Sequence, residues 1–149
     1  IENADYLFRR GEFLKFIALA NSLAARAPKA DARQRLKLAN ALVLAGDLPA
    51  AVEVARRYTE PPNDAYVRSY AECILAITAW RRGDVASAAK LFSSALRLAA
   101  ESKEPERVAW TYLHLLRFYI DFHPADAVLS ILPDVRKAGL LAGIPQATA

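Results

Sequence analysis

The side chains best suited to acid–base or metal chemistry are the two histidines and a nearby acid. His114 and His123 are nine residues apart, so they lack the i, i+4 spacing with which two histidines of one helix bind a metal. Asp121 and His123 can be interpreted as an acid–base pair or as a polar turn, and the turn is favoured. The sequence has no serine-hydrolase, phosphate-loop, zinc-protease or Cys-x-x-Cys motif. We therefore predict no enzyme activity, no metal and no cofactor.

A second set of side chains has the composition of a binding surface. Trp110, His114 and Arg117 share one face of a predicted helix through i, i+4 and i, i+3 spacing. Aromatic and arginine side chains are the usual hot spots of interfaces. The alternative is that Trp110 and Tyr70 belong to the core. Cys73 lies in an apolar run and is interpreted as a buried small hydrophobe rather than a reactive thiol.

The net charge of +4, with a pI near 9.4, raises the question of nucleic-acid binding. Clusters of basic residues can bind phosphate, but this one lacks interleaved glycines or aromatic residues and belongs to no recognised nucleic-acid motif. A solvated helix face is therefore favoured, and nucleic acid is an unlikely partner. The strongest basic cluster comprises Arg26, Lys29, Arg33, Arg35 and Lys37.

Composition also suggests where the protein works. A single cysteine excludes an intramolecular disulfide and fits a reducing compartment. No run approaches the roughly 20 apolar residues of a membrane span, and no signal-peptide pattern is present. We expect a cytoplasmic protein that does not bind membranes. Because the sequence begins with Ile1 rather than Met, we also expect a longer parent chain.

Three glycines divide the chain into predicted helix pairs. Gly11, Gly46 and Gly83 lie 35 and 37 residues apart, and each precedes an acidic residue and then an apolar one. A fixed period in this range is typical of a solenoid of stacked helix pairs. Apolar residues recur at helical spacing around the glycines, and period-2 alternation is absent. We predict an all-α, antiparallel helix-pair solenoid of about seven to eight helices. The predicted helices cover 4–10, 12–26, 31–45, 48–59, 64–82, 85–101, 105–121 and 125–138, the last ending near Gly139, with 142–149 opening another.

This pattern resembles the tetratricopeptide repeat (TPR) family, whose repeat has Gly-Asp or similar at the turn and Ala-x3-Phe on the second helix. Ala88 and Phe92 match that motif after Gly83, and Ala51 with Ala55 takes the corresponding places after Gly46. The last unit departs from the pattern. There His123-Pro124 replaces the turn pair, and Ala127 and Ile131 stand at the motif positions.

The resemblance implies one domain over 1–149 that forms a right-handed superhelix. Its units would cover about 1–30, 31–63, 64–103 and 104–141, with another beginning at 142–149. Repeats longer than the ideal 34 residues are more similar to the MalT-like TPR arrays of bacterial transcriptional regulators than to minimal chaperone-binding members. The expected function is non-catalytic binding of a protein, peptide or small effector within a larger regulatory protein. The alternatives are self-association through incomplete terminal repeats and, more weakly, contact with nucleic acid.

In this family the first helix of each pair lines the concave binding surface, so the resemblance nominates binding residues by position. The two-carboxylate clamp of chaperone-binding members is incomplete here. Lys37 and Asn40 match its first helix, but Ile74 stands where the second asparagine is needed and the third helix lacks the Lys/Arg pair. We therefore expect no binding of acidic chain-terminal peptides of that kind. The nominated residues are Arg33, Lys37, Asn40, Tyr70, Cys73, Ile77, Arg81, Trp110, His114 and Arg117.

Overall fold

The described part of the chain, residues 11–26 and 31–143 of a computed structural model, is all-helical and contains no strand. The predicted helix over 4–10 lies outside this part. Five of the other predicted helices agree with the structure to within one residue at each end. The seven helices are α1 (Phe13–Arg26), α2 (Ala32–Ala45), α3 (Leu48–Arg56), α4 (Ala65–Arg81), α5 (Val85–Glu101), α6 (Pro105–Phe122) and α7 (Ala125–Ala142).

Two predicted helix ends were wrong. Helix α3 stops at Arg56, three residues before the predicted end. Helix α7 passes through Gly139 and ends at Ala142, because Gly139 is buried against its neighbours and Gly143 is the residue with left-handed backbone, at φ 67°. Ala142 and Gly143 thus terminate a helix instead of opening one, and 144–149 lie outside the described residues.

The Gly-Asp pairs at two of the turns both end the preceding helix and cap the next one. Gly46 and Gly83 adopt φ values of 91° and 80°, which an L side chain rarely accepts. The backbone N–H groups of Asp47 and Asp84 then bond back to carbonyls of the preceding helix at 2.9 and 3.0 Å. The same aspartates begin the next helix, since their side chains accept N–H bonds from its first turn at 3.2 and 3.1 Å.

We expect Gly83→Ala to lower the free energy of unfolding by about 1 kcal/mol, measured by urea denaturation. A Cβ at this position would meet no atom within 4 Å, so the cost would come from the left-handed backbone alone. Gly83→Asn is the matched control and should cost less, because asparagine tolerates this conformation. Equal stability of wild type and Gly83→Ala would contradict this explanation of the turn.

The helices pack in a regular order. Each described helix contacts the next along the chain, and α2, α4 and α6 also contact one another in series. The α4–α5 pair approaches closely because Ala71, Ala88 and Ala95 are fully buried. The Ser69 hydroxyl donates to the Ala95 carbonyl at 2.8 Å across this pair. Because α2, α4 and α6 contact one another in series, the first helices of successive pairs lie side by side.

Two hydrogen bonds hold α2, α4 and α6 together at one end of α4. The Arg81 guanidinium donates to the Val43 carbonyl of α2 at 2.7 Å. The Trp80 indole N–H donates to the Asp121 carboxylate of α6 at 2.8 Å. Of the three helices that the resemblance nominates as the binding face, α2 and α6 are thus each hydrogen-bonded to α4.

Candidate functional site

An open cavity of about 430 Å³ lies between α2, α4 and α6. Its size is within the usual range of small-molecule sites. Six of the nominated residues line it, although they come from three helices well separated in sequence. The full lining comprises Lys37, Asn40, Leu44, Tyr66, Tyr70, Glu106, Arg107, Trp110, His114 and Arg117.

Four nominated residues lie elsewhere. Ile77 and Cys73 are 4% and 1% exposed and belong to the core, where burial also raises the pKa of the Cys73 thiol. The Arg81 guanidinium caps the Val43 carbonyl. The Arg33 guanidinium stacks 3.8 Å from the centre of the Tyr66 ring and pairs with Glu104 at 3.1 Å. These positions stabilise the walls and do not line the cavity.

Four lining residues were not predicted, although helical spacing connects each to one that was. Tyr66 precedes Tyr70 by one turn, and Leu44 follows Asn40 by one turn. Arg107 and Glu106 precede Trp110 by three and four residues and continue the same face of α6. Extending each predicted face by one turn would therefore have found them.

Arg107 is the most unusual member of the cavity wall. It is only 4% exposed, whereas arginine is seldom buried without a partner. Its guanidinium lies 4.5 Å from the centre of the Tyr70 ring and 5.9 Å from that of Tyr66. Its Nε donates to the Thr111 hydroxyl in a long bond of 3.4 Å. Within the described ranges, no carboxylate lies at ion-pair distance from this cation.

The Tyr70 hydroxyl faces a polar partner and stays protonated at neutral pH. Burial raises the pKa of Tyr70 to about 12, although Arg107 and a hydrogen bond from Asn40 act in the opposite direction. The neutral phenol can both donate and accept a hydrogen bond. Tyr70 therefore offers the cavity an aromatic face and a polar edge.

His114 is uncharged in this environment. Burial is the first cause that lowers the pKa of His114 to about 3, and the positive charges of Arg107, Arg117 and Arg81 add to it. The Trp110 ring lies 6.4 Å away, centre to centre. At neutral pH the imidazole has one donor and one acceptor nitrogen. It can hydrogen-bond a ligand without changing the charge of the cavity.

The cavity is electropositive. Lys37, Arg107 and Arg117 contribute three positive charges and Glu106 one negative charge, a balance of +2 with His114 neutral. The described members of the basic cluster also separate. Arg33 contacts Tyr66 of α4 and Lys37 lines the cavity, whereas Arg35 is not among the lining residues.

Among the described residues, no group of three or more histidine, cysteine, aspartate or glutamate side chains could hold a metal ion. Asp121 accepts from Trp80, and the His123 ring stacks on Tyr119 with centres 4.2 Å apart. These two residues therefore occupy structural positions on α6 and the turn after it. The residues that line the cavity could contact a ligand through charge, stacking and hydrogen bonds.

Comparisons with protein-family models, with curated proteins and with solved structures found no match for this chain. Within the described ranges, no helix combines the length and the apolar character needed to cross a bilayer.

Proposed function

We propose that this chain is a non-catalytic binding module that takes a peptide, a segment of a protein or a small effector into the cavity between α2, α4 and α6. One observation carries the proposal. Residues chosen from sequence for a binding face, including Lys37, Tyr70, Trp110 and Arg117, converge on one cavity of about 430 Å³. Concave sites with aromatic walls and a few placed polar groups are the usual form of ligand sites.

We further propose that the module is a TPR-like solenoid. The contacts of α2, α4 and α6 in series fit an array whose first helices form one face. The motif pair Ala88 and Phe92 is fully buried, as is the earlier pair Ala51 and Ala55, which fits positions where one helix packs on the next. A cytoplasmic regulatory protein of bacterial type is the corresponding proposal, supported by repeats longer than 34 residues, by the Ala/Arg/Leu-rich composition and, for the compartment, by the single cysteine.

Ligand selection with a random peptide library and a panel of small effectors tests the binding proposal. Hits would be measured by titration calorimetry against wild type, Trp110→Ala and Arg117→Glu. Both variants should weaken binding about ten-fold or more, since aromatic and arginine contacts dominate interfaces. Lys90→Glu, an exposed charge reversal on α5, is the matched control and should bind as wild type. Hits that are insensitive to both cavity variants, or no hits at all, would remove the proposal.

Self-association is the second candidate function. Leu129 and Leu140 are 63% and 71% exposed on α7, and a spacing of eleven residues places them on one side of the helix. Such side chains can contact a second copy of the chain. Light scattering over a range of concentrations tests this, and Leu140→Glu should shift the mass toward the monomer. A monomeric mass at the highest concentration would exclude it.

A further inference from the structure

The Arg107 side chain is only 4% exposed, and its two Nη atoms have no hydrogen-bond partner among the described residues. The rings of Tyr70 and Tyr66 lie beside its charge, and Nε reaches Thr111. Among the residues that the structure describes, neither Nη atom donates a hydrogen bond. Neither Nη is among the fully buried polar atoms that lack a partner, so both retain accessible surface and can reach a charge-assisted hydrogen-bond partner. Because Arg107 lines the cavity, that partner has room to bind there.

The shape of the unsatisfied group indicates the chemistry of its partner. A guanidinium presents parallel N–H groups that match the two oxygens of a carboxylate, and such charge-assisted pairs are strong. Stacking beside tyrosine rings leaves the edge of the guanidinium for this contact. Another cation of the cavity, Arg117, lies ten residues further along α6.

Other residues that line the cavity further restrict the class of ligand that it can bind. Tyr66, Tyr70, Trp110 and Leu44 give the cavity three aromatic walls and one aliphatic wall, which suit an apolar ring. Glu106 also lines the cavity, and its negative charge opposes a dianion more strongly than it opposes a single carboxylate. The cavity therefore matches one anionic group attached to an aromatic body.

We propose that the cavity binds a small aromatic carboxylate, with its carboxylate on the Arg107 guanidinium and its ring among Tyr66, Tyr70 and Trp110. This inference rests on the proposed binding function and specifies its ligand. It differs from the two-carboxylate recognition of chain-terminal peptides, because a single buried arginine on α6 provides the anion site. Asn40 and neutral His114 supply the remaining hydrogen-bonding groups.

The experiment uses aromatic acids with a linker of one to three methylenes, among them phenylacetate and indole-3-acetate, titrated into the ¹⁵N-labelled chain by NMR. Matched primary amides test the charge, and benzylphosphonate tests a phosphate-like dianion. We expect the best acid to perturb the amides around the cavity and to bind about ten- to hundred-fold tighter than its amide. The phosphonate should bind more weakly than the acid.

Variants of Arg107 complete the test. Arg107→Met should abolish the preference for acid over amide while keeping a melting temperature at or above that of wild type, because methionine fills the space without a buried charge. Arg107→Lys should retain a reduced preference for acid over amide, because the lysine ammonium is a point charge and cannot donate the two parallel hydrogen bonds of a guanidinium. The control Lys90→Met removes a distant exposed cation and should change nothing.

The possible outcomes distinguish failure of the carboxylate site from failure of the general binding function. No perturbation by any acid, equal binding of acid and amide, or an unchanged preference in Arg107→Met would overturn the carboxylate site. A phosphonate that binds more tightly than every acid would also overturn it and assign the anion site to a phosphate. Neutral ligands that lose affinity in Trp110→Ala but not in Arg107→Met would leave the general binding function standing without the carboxylate.

Discussion

Phe118→Ala should lower the free energy of unfolding by about 3–5 kcal/mol, the range for removing a fully buried phenylalanine. Phe118 has no exposed surface and lies at the centre of an aromatic cluster that joins three helices. Its ring centre is 6.3 Å from that of Trp80 on α4 and 5.4 Å from that of Phe92 on α5. The cavity left by the substitution cannot close without moving α4 or α5, so both the lost contacts and the void contribute.

Urea denaturation followed by circular dichroism measures this effect. The matched control is Phe122→Ala, on the same helix and with its ring 5.5 Å from that of Phe118. Phe122 is 42% exposed, so we expect a loss below about 1.5 kcal/mol. Similar losses for the two variants would show that the cluster does not join α4, α5 and α6 in the way described.

Acidification should destabilise the protein through His114, by about 2 kcal/mol between pH 6.5 and 4.5. The pKa of His114 is lowered to about 3 in the folded chain, while the unfolded chain has the ordinary value near 6.5. Below pH 6.5 the imidazole is therefore protonated in the unfolded state but still neutral in the folded state. The free energy of unfolding falls as the pH falls toward 3. The upper limit is about 1.4 kcal/mol per pH unit, which partial solvent access reduces.

His114→Gln isolates this contribution, because glutamine keeps a polar side chain of similar length and does not titrate. Its stability should depend less on pH than that of wild type over the same interval, in urea titrations at several pH values. His123→Gln is the control and should keep the wild-type dependence, since the cavity histidine remains. Parallel curves for wild type and His114→Gln would show that the folded state accepts the proton, and that the three arginines do not oppose it.

The helix boundaries could be predicted because local signals fix them. Asp31, Asp64 and the two Gly-Asp turns act through hydrogen bonds to residues two or three positions away, which a sequence displays directly. The end of α7 could not be predicted in this way. Gly139 and Gly143 look equivalent in sequence, and the burial of Gly139 against neighbouring residues is a tertiary property that keeps the helix going.

The cavity could be predicted on α2 and α6 better than on α4. On α6, charged and aromatic residues share one side, and helical spacing alone brings Trp110, His114 and Arg117 together. Helix α4 is surrounded by four other helices, so residues such as Ile77 are buried on sides that periodicity cannot distinguish. Only Tyr70 of its four nominated residues reaches the cavity.

Arg107 could not be recognised as a cavity residue from composition. Arginine is normally read as a solvent-exposed residue, and its burial depends on Tyr66 and Tyr70, which come from another helix pair. Only the folded structure shows that the Nη atoms of Arg107 lack hydrogen-bond partners among the described residues.

The walls of the cavity belong to helices that are separate along the sequence, and this has a consequence for cooperativity. Arrays of helix pairs gain stability mainly from contacts between neighbours and can unfold from one end. A ligand that touches both Lys37 on α2 and Arg117 on α6 would join pairs that are not consecutive. In the proposed solenoid, filling the cavity would couple these pairs, so that they unfold together and the bound state is stiffer as well as more stable than the empty one.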